Sequence, residues 1–148
     1  MPGDVRMLSL ADCVVDALAQ RGGGPALILS TVGTRVSRVF TRPLDTSRIR
    51  YVEPSARVQD ELMRAIYEGV KALDWDIAAA AGANVLENVL AANPGIGCIV
   101  AGCTEVPEII DLLKQRGSSA LRKRLAKIEV IDPVELALNA IACNGRAA

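Results

Sequence analysis

The stretch IVAGCTEVPEI, Ile99 to Ile109, decides how this chain reads. Small and apolar residues run to Gly102. Cys103, Thr104, Glu105 and, two residues on, Pro107 follow at once. An apolar run suits a buried strand, while a hydroxyl, a carboxylate and a proline suit the first turn of a helix. A strand that passes directly into a helix is the repeating unit of α/β folds. It also puts a cysteine at the junction, where a thiol can be a working group or a packed one.

The rest of the chain repeats that unit. MLSL (7–10), ALILSTV (26–32), IRYVEP (49–54), GCIVAG (97–102) and IEVIDP (128–133) read as five short buried strands. Helical stretches lie between them. ADCVVDALAQRG (11–22) stops at the glycines 22–24, and TRVSRVFTRPL (34–44) is broken by Pro43. SARVQDELMRAIYEGVKAL (55–73) has apolar residues at Val58, Leu62, Ile66 and Val70. DIAAAAGANVLENVLAAN (76–93) stops at Pro94-Gly95, and EVPEIIDLLKQRG (105–117) is followed by the helical piece SALRKRLAK. Asp132-Pro133-Val134-Glu135 reads as a capping box opening a last helix. The expectation is an α/β fold: a parallel sheet in three layers with flanking helices.

Composition narrows the function. Hydrophobic residues make up 51% of the 148 and aromatics 3%, so the core must be aliphatic. Seventeen basic residues balance seventeen acidic ones, which gives no general attraction to nucleic acid or anionic membrane. The basic run LRKRLAK reads as a solvated helix face. No apolar run approaches the roughly 20 residues of a membrane span, and MPGDVRMLSL lacks the pattern of a signal peptide. Four cysteines in a chain of this length make no disulfide framework, so reduced thiols in the cytoplasm are expected. There is no histidine, which removes Ser-His and Cys-His pairs and His-containing zinc sites; no metal site is expected.

In parallel sheets, ligands bind outside the carboxyl ends of the strands. Three places there could do chemistry. STVGTRVS (30–37) sets four hydroxyls around a glycine, either a small anion site or plain helix capping by Thr34. At GCTEVPE (102–108), a helix N-terminus favours a thiolate at Cys103, and Thr104 with its neighbouring amides could hold a carboxylate. The alternative is a small buried residue followed by a Thr cap. Lys71 could pair with an anionic substrate, or simply be a solvated lysine at a helix C-terminus. Cys13, Cys98 and Cys143 read as small core residues.

Taken together, these pieces resemble the aspartate/glutamate racemase superfamily, nearest its aspartate racemase branch. IVAGCTEVPEI resembles the family's second catalytic-cysteine motif, and Glu105 stands where the glutamate racemase branch usually has histidine. ALILSTVGT, RMLSLADCVVDAL, Tyr67 to Lys71 and IEVIDPVELA follow in family-like order. The resemblance implies one lobe of a two-lobed fold. Residues 1–127 would be the second lobe, and 128–148 a terminal strand–helix that normally returns to the first. It implies racemisation of a small amino-acid or carboxylate substrate without any cofactor, using cysteines as acid and base. Cys103 would be one of them. Thr31 and Thr34 would bind a carboxylate, Lys71 would neutralise a second, and Thr104 and Glu105 would bind the substrate or orient the thiol.

The family's first-lobe cysteine motif does not precede Met7, so the chain is expected to be incomplete and weakly active or inactive by itself. A homodimer or a separate first-lobe partner would be needed. Two other readings stay open: a non-catalytic remnant or small-anion binder, and a single-cysteine decarboxylase or isomerase working with a partner. With the first lobe absent, the terminal strand–helix and the lobe-facing surface would lose their partner, and an apolar patch is expected at the surface.

Overall fold

A computed structural model describes residues 7–145; the reading of residues 1–6, including the start of the signal-peptide test, lies outside it. The elements run α1 (Leu10–Arg21), β1 (Ala26–Leu29), α2 (Val32–Val36), α3 (Thr41–Thr46), β2 (Tyr51–Val52) and α4 (Ala56–Arg64). A π-helical segment (Ala65–Val70) continues α4. Then come α5 (Trp75–Ala92), β3 (Cys98–Ala101), α6 (Glu105–Arg116), α7 (Ser119–Leu125), β4 (Glu129–Ile131) and α8 (Pro133–Gly145).

The strands form one parallel sheet in the order β2-β1-β3-β4. Alternation along each strand divides the core in two. Leu27, Leu29, Ile99 and Ala101 point to one face and pack with α4, the π segment, α5, α6 and α7. Ala26, Ile28, Cys98, Val100 and Ile131 point to the other, against Val14 and Leu18 of α1 and Leu44 of α3. Both faces are covered, so the architecture is the three-layer α/β sandwich that the alternating pattern implied. Cutting a fully buried residue such as Leu27 or Ile99 to alanine should cost about 2–5 kcal/mol.

Two details differ from the sequence reading. MLSL is not a strand: Leu10 opens α1, whose N-cap is Ser9, with Ser9 Oγ accepting from Asp12 N at 3.2 Å. Met7 is 96% exposed and Leu8 and Leu10 are also exposed, so this apolar run has no core to enter. The sheet therefore has four strands among the described residues. The break in 34–44 is not at Pro43, which sits in the first turn of α3, where its missing N–H leaves no bond unmade. The chain turns earlier, at Arg38, which takes the left-handed conformation (φ 54).

Several readings match the structure directly. Gly22 and Gly23 end α1 with positive φ. Asp132 caps α8, its Oδ1 accepting from Val134 N at 2.8 Å. Val58, Leu62, Ile66 and Val70 are all buried. Their strict four-residue spacing also explains the π segment. In a pure α-helix each step of four overshoots a turn by about 40°, so the stripe would drift off the core. The wider π turns, marked by Lys71 N donating to Ile66 O at 2.9 Å, take up part of that drift.

β4 completes the edge of this sheet and α8 packs on α1. α8 nevertheless leaves Val134, Leu138 and Ile141 exposed on one stripe. Val32, Val36 and Val39 are exposed around α2, and Tyr67, Leu73 and Trp75 around the end of the π segment. No helix among the described residues is long and apolar enough to cross a membrane.

Candidate active site

The chain leaves β1 toward β2 on one side, and later enters β3 on the other. The carboxyl ends of β1 and β3 therefore flank the point where strand order reverses, the usual crevice for a ligand in such sheets. Register brings the two junctions together. Leu29 stands opposite Ala101, and Gly102 N donates to Leu29 O at 2.7 Å. Ser30–Thr31 and Gly102–Cys103 are thus neighbours on adjoining chain ends. Gly102 is needed here, because a Cβ would lie 2.7 Å from Ser30 Cβ and 3.0 Å from Leu29 O.

Cys103 is half-buried and unpaired, and packs partly against the core beneath α6. Burial is the main influence on its thiol, pushing the pKa from 9.0 up to about 11. The nearby backbone N–H groups of Glu105 and Val106 pull the other way. The helix N-terminus is thus present, as the sequence suggested, but burial and the adjacent Glu105 carboxylate outweigh it. At neutral pH Cys103 is a thiol, not a thiolate.

Glu105 is the hub of the cluster. Thr104 Oγ1 donates to its Oε2 at 3.1 Å, and Lys71 Nζ lies 3.6 Å from its Oε1. Burial pushes its carboxyl up, but its own N–H, the Cys103 thiol, the Thr104 hydroxyl and the Lys71 ammonium together hold it below the ordinary value. Thr104 therefore bonds to Glu105 instead of capping α6. Lys71 is also not an isolated solvated lysine. Its ammonium sits 4.4 Å above the Tyr67 ring and reaches across to α6. The π segment sets this geometry. Gly69 lies so close to α5 that a Cβ would meet Ala78 Cα at 2.6 Å, and the chain after it delivers Lys71 to the sheet's carboxyl end.

On the β1 side the helix cap is Thr31, not Thr34. Thr31 Oγ1 accepts from Thr34 N at 3.4 Å, and the two hydroxyls are 3.1 Å apart. The structure thus groups Cys103, Thr104, Glu105 and Lys71 through direct contacts, and Thr31 with Thr34 beside them through register. Cys13, Cys98 and Cys143 lie on other elements; of the three only Cys98 is the core residue expected, since Cys13 is half-buried and Cys143 exposed. Two hollows of about 490 Å³ lie elsewhere, one between α1, β4 and α8 and one beside the β2–α4 turn. Neither takes in Cys103.

Sequence reasoning missed one pair. Gln59 is buried beneath the β1 junction and Arg35 is joined to it. The signal was available: Gln59 falls three residues before Leu62 and seven before Ile66, a polar side chain on the apolar stripe of its helix.

Comparison with known proteins bears on the family and the fold. Residues 4–141 match the sequence model of the Asp/Glu/hydantoin racemase family. Among solved structures, the aspartate racemase of Picrophilus torridus is 29% identical with a TM-score of 0.66, the match covering 93% of this chain and 52% of that one. An aspartate racemase homologue from Pyrococcus horikoshii is 23% identical with a TM-score of 0.70, covering 94% and 56%. The chain spans about half the length of these solved relatives. With nearly every described element inside the matched region, and with this fold shared, the chain belongs to the Asp/Glu/hydantoin racemase family.

Proposed function

We propose that this chain supplies one acid/base half of a cofactor-independent amino-acid racemase site, with Cys103 as its proton-transferring group. The observation that carries the reading is the position of Cys103. It is a protonated thiol at the strand-order crevice, touched by Glu105 and flanked by the Thr31–Thr34 hydroxyls. Racemisation needs a base on one face of the α-carbon and an acid on the other. A thiol held at about 11 is poised as the acid. It gives its proton to the carbanion, and the two α6 amides stabilise the thiolate that remains. In the reverse direction that thiolate takes the α-proton back.

Thr31 and Thr34 offer hydroxyls to the substrate carboxylate, and Lys71 to a second carboxylate, which suits aspartate or glutamate. Thr104 and Glu105 orient the thiol and hold the ammonium. The opposing acid/base group comes from a surface that faces Cys103, supplied by a first lobe or by a second copy of the chain. Exposed Val32, Tyr67 and Leu73, next to Thr31 and Lys71, suit such a contact. The single thiol at the crevice also suits protonation from one face only, as in a decarboxylase with one cysteine.

The test is α-proton exchange of aspartate and glutamate in deuterated water, followed by NMR, with the chain alone and with a candidate partner. Exchange that Cys103→Ala abolishes supports the reading. No exchange of either amino acid in any combination sinks it, and exchange that survives Cys103→Ala removes Cys103 from the mechanism. Deuterium incorporated with retained configuration favours the one-faced alternative.

A further inference from the structure

Beneath the Thr31–Thr34 turn lies a polar chain that touches neither Cys103 nor any hydroxyl of the site. Gln59 of α4 is only 5% exposed among apolar neighbours, and a buried amide of this kind is costly unless both its ends are bonded. Both are. Gln59 Nε2 donates to Ser30 O at 2.8 Å, and Gln59 Oε1 accepts from Arg35 Nη1 at 3.4 Å. Only this orientation of the amide works, since a carbonyl needs a donor and a guanidinium needs an acceptor. Arg35 Nη1 also donates to Pro54 O at 2.8 Å, and its Nε lies 3.6 Å from Glu53 Oε2. Three segments are tied together: the end of β1, the short helix α2 and the turn after β2.

The geometry points to Gln59 as a positioning residue for the hydroxyl-lined turn, an inference that rests on the proposed carboxylate-binding role of Thr31 and Thr34. Gln59 holds the Ser30 carbonyl toward α4. In a planar trans peptide this turns the Thr31 N–H the opposite way, away from α4. It thereby fixes the backbone on which the Thr31 and Thr34 hydroxyls stand. Arg35, whose Nη1 is also held by Pro54 O and whose Nε faces Glu53, stops the amide from swinging. Gln59 itself has no reach to a substrate, because its two polar ends are both used.

The test pairs amide hydrogen exchange with titration of malonate, a simple dicarboxylate probe, on Gln59→Met and on Arg35→Met. In Gln59→Met, which keeps the volume and loses both bonds, exchange should quicken at residues 31–35 while α5 and α6 keep their protection. Malonate affinity should fall about ten-fold, the size of one lost buried hydrogen bond. Arg35→Met, at a half-exposed position, should show the same pattern at smaller amplitude and covers the case in which Gln59→Met does not fold. Unchanged exchange at 31–35 in the folded variant overturns the positioning role. Quickened exchange in a chain whose native form fails to bind malonate leaves that role standing and removes the carboxylate assignment instead.

Discussion

Lys71 and Glu105 meet across 3.6 Å although 34 positions separate them in the chain. One ends the π segment and the other opens α6, and their pairing joins the two elements over the carboxyl end of the sheet. Lys71→Met should raise the Glu105 carboxyl toward its ordinary value, because the ammonium is one of the influences holding it down. NMR titration of the Glu105 side-chain carboxyl checks this. The pair is partly exposed, so global stability should change by less than about 1 kcal/mol.

The Cys103 thiol should react with iodoacetamide only at high pH, with a midpoint near 11 by peptide-resolved mass spectrometry. Glu105→Gln removes a negative charge and a hydrogen-bond acceptor beside it. The midpoint should fall, yet stay above 9.0, because burial is the larger cause.

The same shift sets a pH dependence of stability. The folded state holds the Cys103 proton more tightly than the unfolded chain. That contribution is complete below pH 9.0 and is lost as pH rises through about 11. Denaturant unfolding between pH 8 and 11 should show this loss, and Cys103→Ala should flatten it.

Gly102→Ala forces a methyl against Ser30, Leu29 O and Phe40. Backbone and ring must shift apart, at a cost of about 1–3 kcal/mol. The damage should extend to the turn on β1, so amide shifts at Thr31 and Thr34 should move as much as those at Cys103.

Val134, Leu138 and Ile141 form an uncovered apolar stripe on α8. Sedimentation velocity should show concentration-dependent association of the chain, and the double substitution Leu138→Glu with Ile141→Glu should reduce it. Association unaffected by these changes would place the contact elsewhere, such as around α2.

The layer architecture could be read from the chain because each strand is a short aliphatic run that is buried on both faces, and such runs stand out locally. MLSL misled because a run of the same composition can lie on the surface, and only Ser9 as a cap distinguishes it. Strand order could not be read: nothing in ALIL or CIVA states which neighbour each will have. Cys103, Thr31 and Lys71 were found because they stand at strand or helix ends. Their mutual contacts depend on register and on the π turns, which are properties of packing. The thiol's protonation was misjudged for the same reason. A helix N-terminus is visible in GCTEVPE, whereas the burial that overrides it comes from α6 settling on the core.

A core with only one buried aromatic ring, Phe40, has a practical result. The chain's single tryptophan, Trp75, stands at the start of α5, four residues after Lys71, and is 37% exposed. Its fluorescence is therefore free of other indoles and reports on the surface at the start of α5. Any surface that settles over it should shift the emission to shorter wavelength. A partner could thus be titrated against the unlabelled chain.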